Sequence, residues 1–131
     1  MPATVLPFLM FQGDGAEALE FYLSVFPGAA IEQIERYGEG GNAPAGSIKL
    51  ARFRIGEQTV MCTDSPVKHA FTFTPSFSFF VECDSQDDVG RLGEILKQGG
   101  AELMPVGNYG FSTLFTWVSD RFGVSWQLNY A

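Results

Sequence analysis

The chain has 131 residues, of which 46% are apolar and 15% aromatic, so it can bury one ordinary core and has no room for a second domain of normal size. Eight Lys and Arg stand against fifteen Asp and Glu, a net charge of −7. A surface of that sign repels phosphate backbones and anionic lipid, which disfavours nucleic acid and membranes as partners. No apolar run approaches the ~20 residues needed to span a bilayer. Residues 1–7 carry neither the basic start nor the apolar stretch of a secretory leader, so the expected location is cytoplasmic. Cys62 and Cys83 fit that location as reduced, buried small hydrophobes, with a disulfide between them the less expected alternative.

Glycine and proline punctuate the chain clearly enough to segment it. Residues 5–12 form an apolar run read as a buried strand, closed by Gly13-Asp14-Gly15. Asp14 is read as a helix N-cap with Glu17 as its reciprocal acid. Ala18, Leu19, Tyr22, Val25 and Phe26 recur at helical spacing, and Pro27-Gly28 ends the stripe. Strands are expected at 30–37, 48–55 and 59–63. The Gly-rich segment 38–46 lies between the first two, and a tight turn at Gly56 joins the last two into a hairpin. The order then returns. A strand is expected at 76–83. Ser85 is its following N-cap, with Asp88 at the capping-box position, and Val89, Leu92, Ile95 and Leu96 form the helix stripe. Further strands are expected at 101–106, 111–118 and 124–130. Landmarks repeat: Pro7 and Pro75 lie 68 residues apart, Asp14 and Asp84 lie 70 apart, and Gly56 and Gly123 lie 67 apart. Each half, about 4–66 and 74–131, is therefore strand, helix, then three strands. The fold class is α+β, with two βαβββ modules.

Pleat parity separates the faces of these strands. Val124, Trp126 and Leu128 alternate with Ser125, Gln127 and Asn129, and a one-residue slip would bury all three polar groups. Ser76 and Ser78 alternate with Phe77 and Phe79, while Val60 and Cys62 take the face opposite Thr59, Met61 and Thr63. Arg52 shares a face with Leu50. Such polar faces are either plain solvated sheet or the lining of a cup formed by two curved sheets.

The runs Pro7-Phe8-Leu9-Met10-Phe11, Glu17-Ala18, Phe21-Tyr22 and Val25-Phe26-Pro27 resemble the start of the PhnB-like branch of the vicinal oxygen chelate superfamily. This superfamily includes glyoxalase I, bleomycin-resistance proteins and extradiol dioxygenases. Pro44-Ala45-Gly46, Phe73-Thr74-Pro75 and the stretch from Trp117 to Gln127, with Asp120, Phe122, Gly123 and Trp126 inside it, extend the resemblance over nearly the whole chain. It implies paired βαβββ modules around a cleft, and usually a homodimer. Some members carry the name of a 3-demethylubiquinone methyltransferase, yet this sequence has no Gly-rich nucleotide-binding turn followed by an acidic residue one strand later.

The resemblance also places a divalent metal in many superfamily enzymes, on His, Glu or Gln from the first and last strands of each module. Those places fall here near Pro7, Met61 (or Val60), Ser76 and Gln127, of which only Gln127 could ligate. The expectation is therefore no metal and no cofactor. The one histidine, His69, lies in the linker beside Lys68 and an Asp64 read as exposed, and it is expected to be an ordinary surface residue. Segment 38–46 is read as a flexible connection, with a lid over the cleft as the alternative. No His base accompanies Ser76, Ser78 or Ser125 in the sequence pattern, so triad chemistry is unsupported. The candidate ligand contacts are Gln127 and Arg52, supported by Met61, Ser76, Ser78, Ser125 and Trp117, the side of Trp117 being undetermined. The leading function is metal-free binding, with sequestering as its concrete form, of a small organic molecule in the cup between the modules. The alternatives are a metal-dependent lyase or isomerase acting on a carbonyl compound, and a structural or regulatory dimer with a vestigial cleft.

Overall fold

The computed structural model describes residues 3–131; Met1 and Pro2, which open the segment read as lacking a secretory leader, lie outside it. Eight strands and two helices follow one another as β1 (Phe8–Phe11), α1 (Gly15–Val25), β2 (Ala30–Arg36), β3 (Ile48–Ile55), β4 (Gln58–Asp64), β5 (Ser78–Glu82), α2 (Gln86–Lys97), β6 (Ala101–Gly107), β7 (Leu114–Ser119) and β8 (Ser125–Tyr130). The chain divides into two compact units, Met1–His69 and Ala70–Ala131. Each is one βαβββ module, so the fold is α+β as the pattern of elements predicts.

The first module holds a four-stranded sheet in the order β1-β4-β3-β2, the second a sheet in the order β5-β8-β7-β6. In both, the first strand lies parallel to the last and every other pair is antiparallel. The parallel pair needs a crossover, and the helix supplies it by packing on one face of its sheet. In module one, Ala18, Leu19, Tyr22 and Val25 of α1 are buried together with Leu9, Phe11, Ala51, Phe53, Val60 and Cys62 of the sheet. Tyr22 stacks on Phe53 with ring centroids 6.4 Å apart. In module two, Val89, Leu92 and Leu96 of α2 are buried along with Val118, Trp126 and Leu128. Ile95, expected in that stripe, is only half-buried. Gly93 takes a place in the helix–sheet contact, because a Cβ there would come within 2.9 Å of Thr116 Cγ2.

Three expectations about local structure need correction. Asp14 is the N-cap residue of α1, but its side chain makes no capping bond. Asp64, read as exposed, is 1% exposed and does the capping from the end of β4: its Oδ1 accepts from Gly13 N at 3.0 Å and Gly15 N at 2.9 Å, and its Oδ2 from Ile48 N at 2.7 Å. Gly15 has no side chain to obstruct this approach; a Cβ there would meet Asp64 Oδ1 at 2.9 Å. Ser76 is not on a strand, since β5 begins at Ser78; it sits exposed in the preceding turn, its hydroxyl 2.6 Å from that of Thr74. By contrast, Ser85 caps α2 as expected, accepting from Asp88 N at 3.2 Å.

Candidate functional site

Each sheet has one face covered by its helix and one face that the helix does not touch. In module two, β5, β8 and β7 bring Ser78, Ser125 and Trp117 together on the helix-free face. The Ser78 and Ser125 hydroxyls are 2.6 Å apart, and Trp117 Nε1 donates to Ser125 Oγ at 2.8 Å. That settles the side of Trp117. The next row on this face is Phe80, Gln127 and Trp117, which are register partners across three adjacent strands. Gln127 is half-buried and its side chain makes no hydrogen bond among the described residues. The row beyond it is Glu82, Asn129 and Phe115. Asn129 Nδ2 donates to Glu82 Oε1 at 3.2 Å, while Asn129 Oδ1, though buried, has no partner. Phe115 is enclosed by aromatic neighbours, with ring centroids 4.9 Å from Phe111, 6.0 Å from Tyr109 and 6.5 Å from Phe80. Ser125 and Ser78 bond to each other and to an indole, with no imidazole or carboxylate among their partners, so neither is an activated nucleophile.

In module one the helix-free face carries Phe8, Met61, Arg52 and Gln33 in one row across β1, β4, β3 and β2. Met61 and Arg52 are thus direct neighbours. Arg52 is exposed and has no ion-pair partner among the described residues. Val60, the alternative to Met61 as a metal-ligand position, is fully buried on the helix side and is removed from consideration. Of the seven candidate residues, the structure therefore groups four in module two (Ser78, Ser125, Gln127, Trp117) and two in module one (Arg52, Met61), and leaves Ser76 off the strands.

A separate cleft of about 410 Å³ lies within module one, beyond the end of β4. Gln12, Ala43, Pro44, Ser47, Ser65 and Lys68 are among its lining residues, so the Gly-rich segment forms one of its walls. His69 borders this region and is not a free surface residue. Its backbone N donates to Gln12 Oε1 at 2.9 Å and its Nε2 lies 2.9 Å from Ser65 Oγ. Ser65 Oγ also contacts Val67 O at 2.9 Å, which makes it the centre of a small turn. These bonds join the linker to the first strand's end, a link between residues 57 positions apart that spacing alone does not reveal.

Cys62 is buried, whereas Cys83, expected to be buried too, is only half-buried; both thiols are poorly ionisable. Burial, reinforced by the negative charge of Asp64, pushes the Cys62 thiol up to about 12. Burial also raises that of Cys83. Both are free. Among the described residues no group of three or more His, Cys, Asp and Glu is arranged to hold a metal ion, and Pro7, Met61 and Ser76 offer no ligand that suits one.

A family model described as 3-demethylubiquinone-9 3-methyltransferase matches residues 3–129. The chain belongs to this family, the PhnB-like branch of the vicinal oxygen chelate fold. A PhnB protein from Bacillus cereus is similar to it at 43% identity and a TM-score of 0.94, over 98% of this chain and 100% of that one. A protein from Pseudomonas aeruginosa is 28% identical with a TM-score of 0.83, covering 98% of each chain. The fosfomycin resistance protein FosX from Listeria monocytogenes shares the fold at 11% identity, with a TM-score of 0.69 over 100% of this chain and 94% of that one. No curated protein matches the chain. The methyl-donor nucleotide that the family's description implies does not fit the residues present. Among the described residues the glycine-flanked helix start, Gly13-Asp14-Gly15, has its two glycine N–H groups occupied by the Asp64 carboxylate, where the carboxylate of a methyl donor would need them. Among the described residues, no pair of parallel strands beyond β1–β4 and β5–β8 exists to build a nucleotide-binding sheet.

Proposed function

We propose that this PhnB-family protein binds a small organic molecule on the helix-free face of its second module, as a metal-free, cytoplasmic homodimer. The observation that carries the reading is the row Phe80–Gln127–Trp117, an unbonded amide set between two aromatic side chains and flanked by the Ser78–Ser125 pair. An apolar surface with a few converging polar groups is the usual composition of a small-molecule site. Arg52 and Met61 provide a similar pairing on module one, with a cation that no acid among the described residues neutralises. A sequestering role follows if no group beside the ligand can act as acid, base or nucleophile, and none does among the serines of this face.

The test is a search for ligands by thermal shift in a metabolite library, followed by affinity measurements on variants. Gln127→Ala is expected to weaken the bound molecule by about 1–2 kcal/mol, the scale of one lost hydrogen bond in a desolvated site, and to leave the fold intact. Affinity unchanged in Gln127→Ala but lost in His69→Ala would move the site to the module-one cleft, which is the second reading because it is a half-open space of ligand size. Retention of about one Zn, Ni, Mn or Fe per chain after dialysis would overturn the metal-free part and favour a metal-dependent lyase or isomerase. A monomer mass by light scattering would overturn the dimer.

A further inference from the structure

The end of module two's sheet carries a polar arrangement that the row around Gln127 does not use. Strand alternation places Glu82 and Asn129 on the helix-free face. Phe79, three residues before Glu82 and so on the opposite face, packs on the buried Trp126 at 4.9 Å between ring centroids, and Leu128 lies against α2 near Gly93. Asn129 is only 7% exposed, so a missing hydrogen bond there is costly. The orientation of its amide is fixed by chemistry. Nδ2 must face Glu82, because turning the amide over would oppose its oxygen to a carboxylate oxygen. Oδ1 is then left as a buried acceptor without a donor. Glu82 is exposed, and its only bonded partner is that neutral amide; no Lys or Arg pairs with it among the described residues. One side of this pair is aromatic. Phe115 stands next to Asn129 in register, with Phe80, Tyr109 and Phe111 around it; Phe80, Tyr109 and Phe111 are 52%, 42% and 62% exposed.

An acceptor lacking a donor, an unneutralised carboxylate and exposed aromatic rings all favour the same kind of group. We infer that the Glu82–Asn129 pair with the Phe80–Phe115–Tyr109 cluster recognises the positively charged nitrogen of an organic ammonium compound whose body is apolar or aromatic. The ammonium faces the exposed Glu82 carboxylate, and a shift of the side chains that cover Asn129 lets it donate to Oδ1 as well. The rings contribute their π faces to the cation and their area to the apolar body. A chain with a net charge of −7 attracts such a ligand and repels its anionic counterparts. This inference rests on the helix-free face being the ligand face, and it names the class of molecule that the face takes.

The experiment uses the full chain and two matched probes, 2-phenylethylammonium and 2-phenylethanol, titrated at neutral pH while backbone and side-chain amide NMR shifts are followed. The expected result is that the ammonium binds about tenfold more tightly than the alcohol and shifts the Asn129 side-chain amide. In Glu82→Gln that preference falls to about two- to threefold or less, and in the control Glu94→Gln, an exposed acid on α2, it is unchanged. Glu82 is exposed, so its variant keeps the fold; Asn129→Leu, checked by the same spectra, is expected to weaken the ammonium more than the alcohol. Equal affinity of the two probes, with shifts centred on Gln127 and Trp117, would overturn the ammonium inference and leave the ligand face standing. A preference that survives Glu82→Gln, or no binding of either probe at millimolar concentration, would also overturn it.

Discussion

The two modules share element order and pairing but finish their parallel strand pair differently. In module one the partner of the last residue of β1 is Asp64; in module two the partner of the last residue of β5 is Asn129. Asp64 takes two backbone N–H groups of the β1–α1 turn and a third, that of Ile48, at the start of β3, so this end of the sheet is closed by the protein itself. The Asn129 side chain has one bond, to Glu82, and a spare buried acceptor among the described residues. The helix that follows β5 does not need it, because Ser85 caps α2. Module two instead uses a buried carboxylate elsewhere. Asp120, at the end of β7, accepts from Phe122 N, Val124 N and Trp126 Nε1 and so fixes the β7–β8 turn. The same device, one buried Asp with three donors, thus serves the strand–helix turn in one module and a hairpin turn in the other. The difference leaves polar capacity free only at the second module's sheet end, which is where a ligand's donor could be accepted.

The largest effect that tests this contrast comes from removing the two equivalent residues. Asp64→Ala leaves three backbone donors without their acceptor and is expected to cost about 3–5 kcal/mol in chemical denaturation. Asn129→Ala removes one long hydrogen bond and an unpaired acceptor, and is expected to cost about 1 kcal/mol or less. Equal losses would show that the two sheet ends are not differently sealed.

The helix caps give the next effect. Ser85→Ala removes a side-chain cap and is expected to cost about 1 kcal/mol, whereas Asp14→Ala, at the matching position, loses no capping bond and is expected to cost less than half of that. Sequence alone gave both residues the same role. The pattern of a small polar residue before an apolar helix stripe is real in both, but in module one the cap comes from 50 residues downstream. No local spacing encodes that. The strand expected to end at Thr63 runs on to Asp64, and the alternation that puts Val60 and Cys62 inside puts Asp64 inside as well. Strand phases were otherwise legible, because Val124, Trp126 and Leu128 against Ser125, Gln127 and Asn129 allow only one register. The Asn129 acceptor was not, since it depends on which partner its amide meets. Nor was the cleft at Ser65 and His69, which forms from loop residues without periodicity.

Thiol chemistry separates buried from half-buried positions within the same pair of modules. With its thiol pushed up to about 12, Cys62 is thiol rather than thiolate throughout the usual pH range. A soluble disulfide reagent at pH 8 is therefore expected to modify Cys62 at the rate of global unfolding, with Cys83, which is only half-buried, reacting sooner. Rapid modification of both thiols in native protein would show that the module-one core opens locally.

The smallest effect is the pH dependence of the Asp14 carboxyl. Burial raises its pKa above the ordinary carboxylate value, with the nearby charges of Asp64 and Glu17 adding to the rise and backbone hydrogen bonds opposing it. A folded-state pKa above the unfolded one means that the native protein binds the proton more tightly. The associated stability is present below the unfolded pKa and is lost as the pH rises through the folded value. Asp14→Asn cannot titrate, so relative to wild type it is expected to gain stability between acidic and neutral pH. The position is largely exposed, and the helix N-terminus favours a negative charge, so solvent screening and the helix dipole keep the gain small. Unfolding midpoints for the two proteins, compared at several pH values from acidic to neutral, measure it. A difference that is flat across that range would show that neither burial nor the neighbouring Asp64 and Glu17 carboxylates raise the Asp14 pKa, and that the strand-end acid closes module one without electrostatic strain at the helix start.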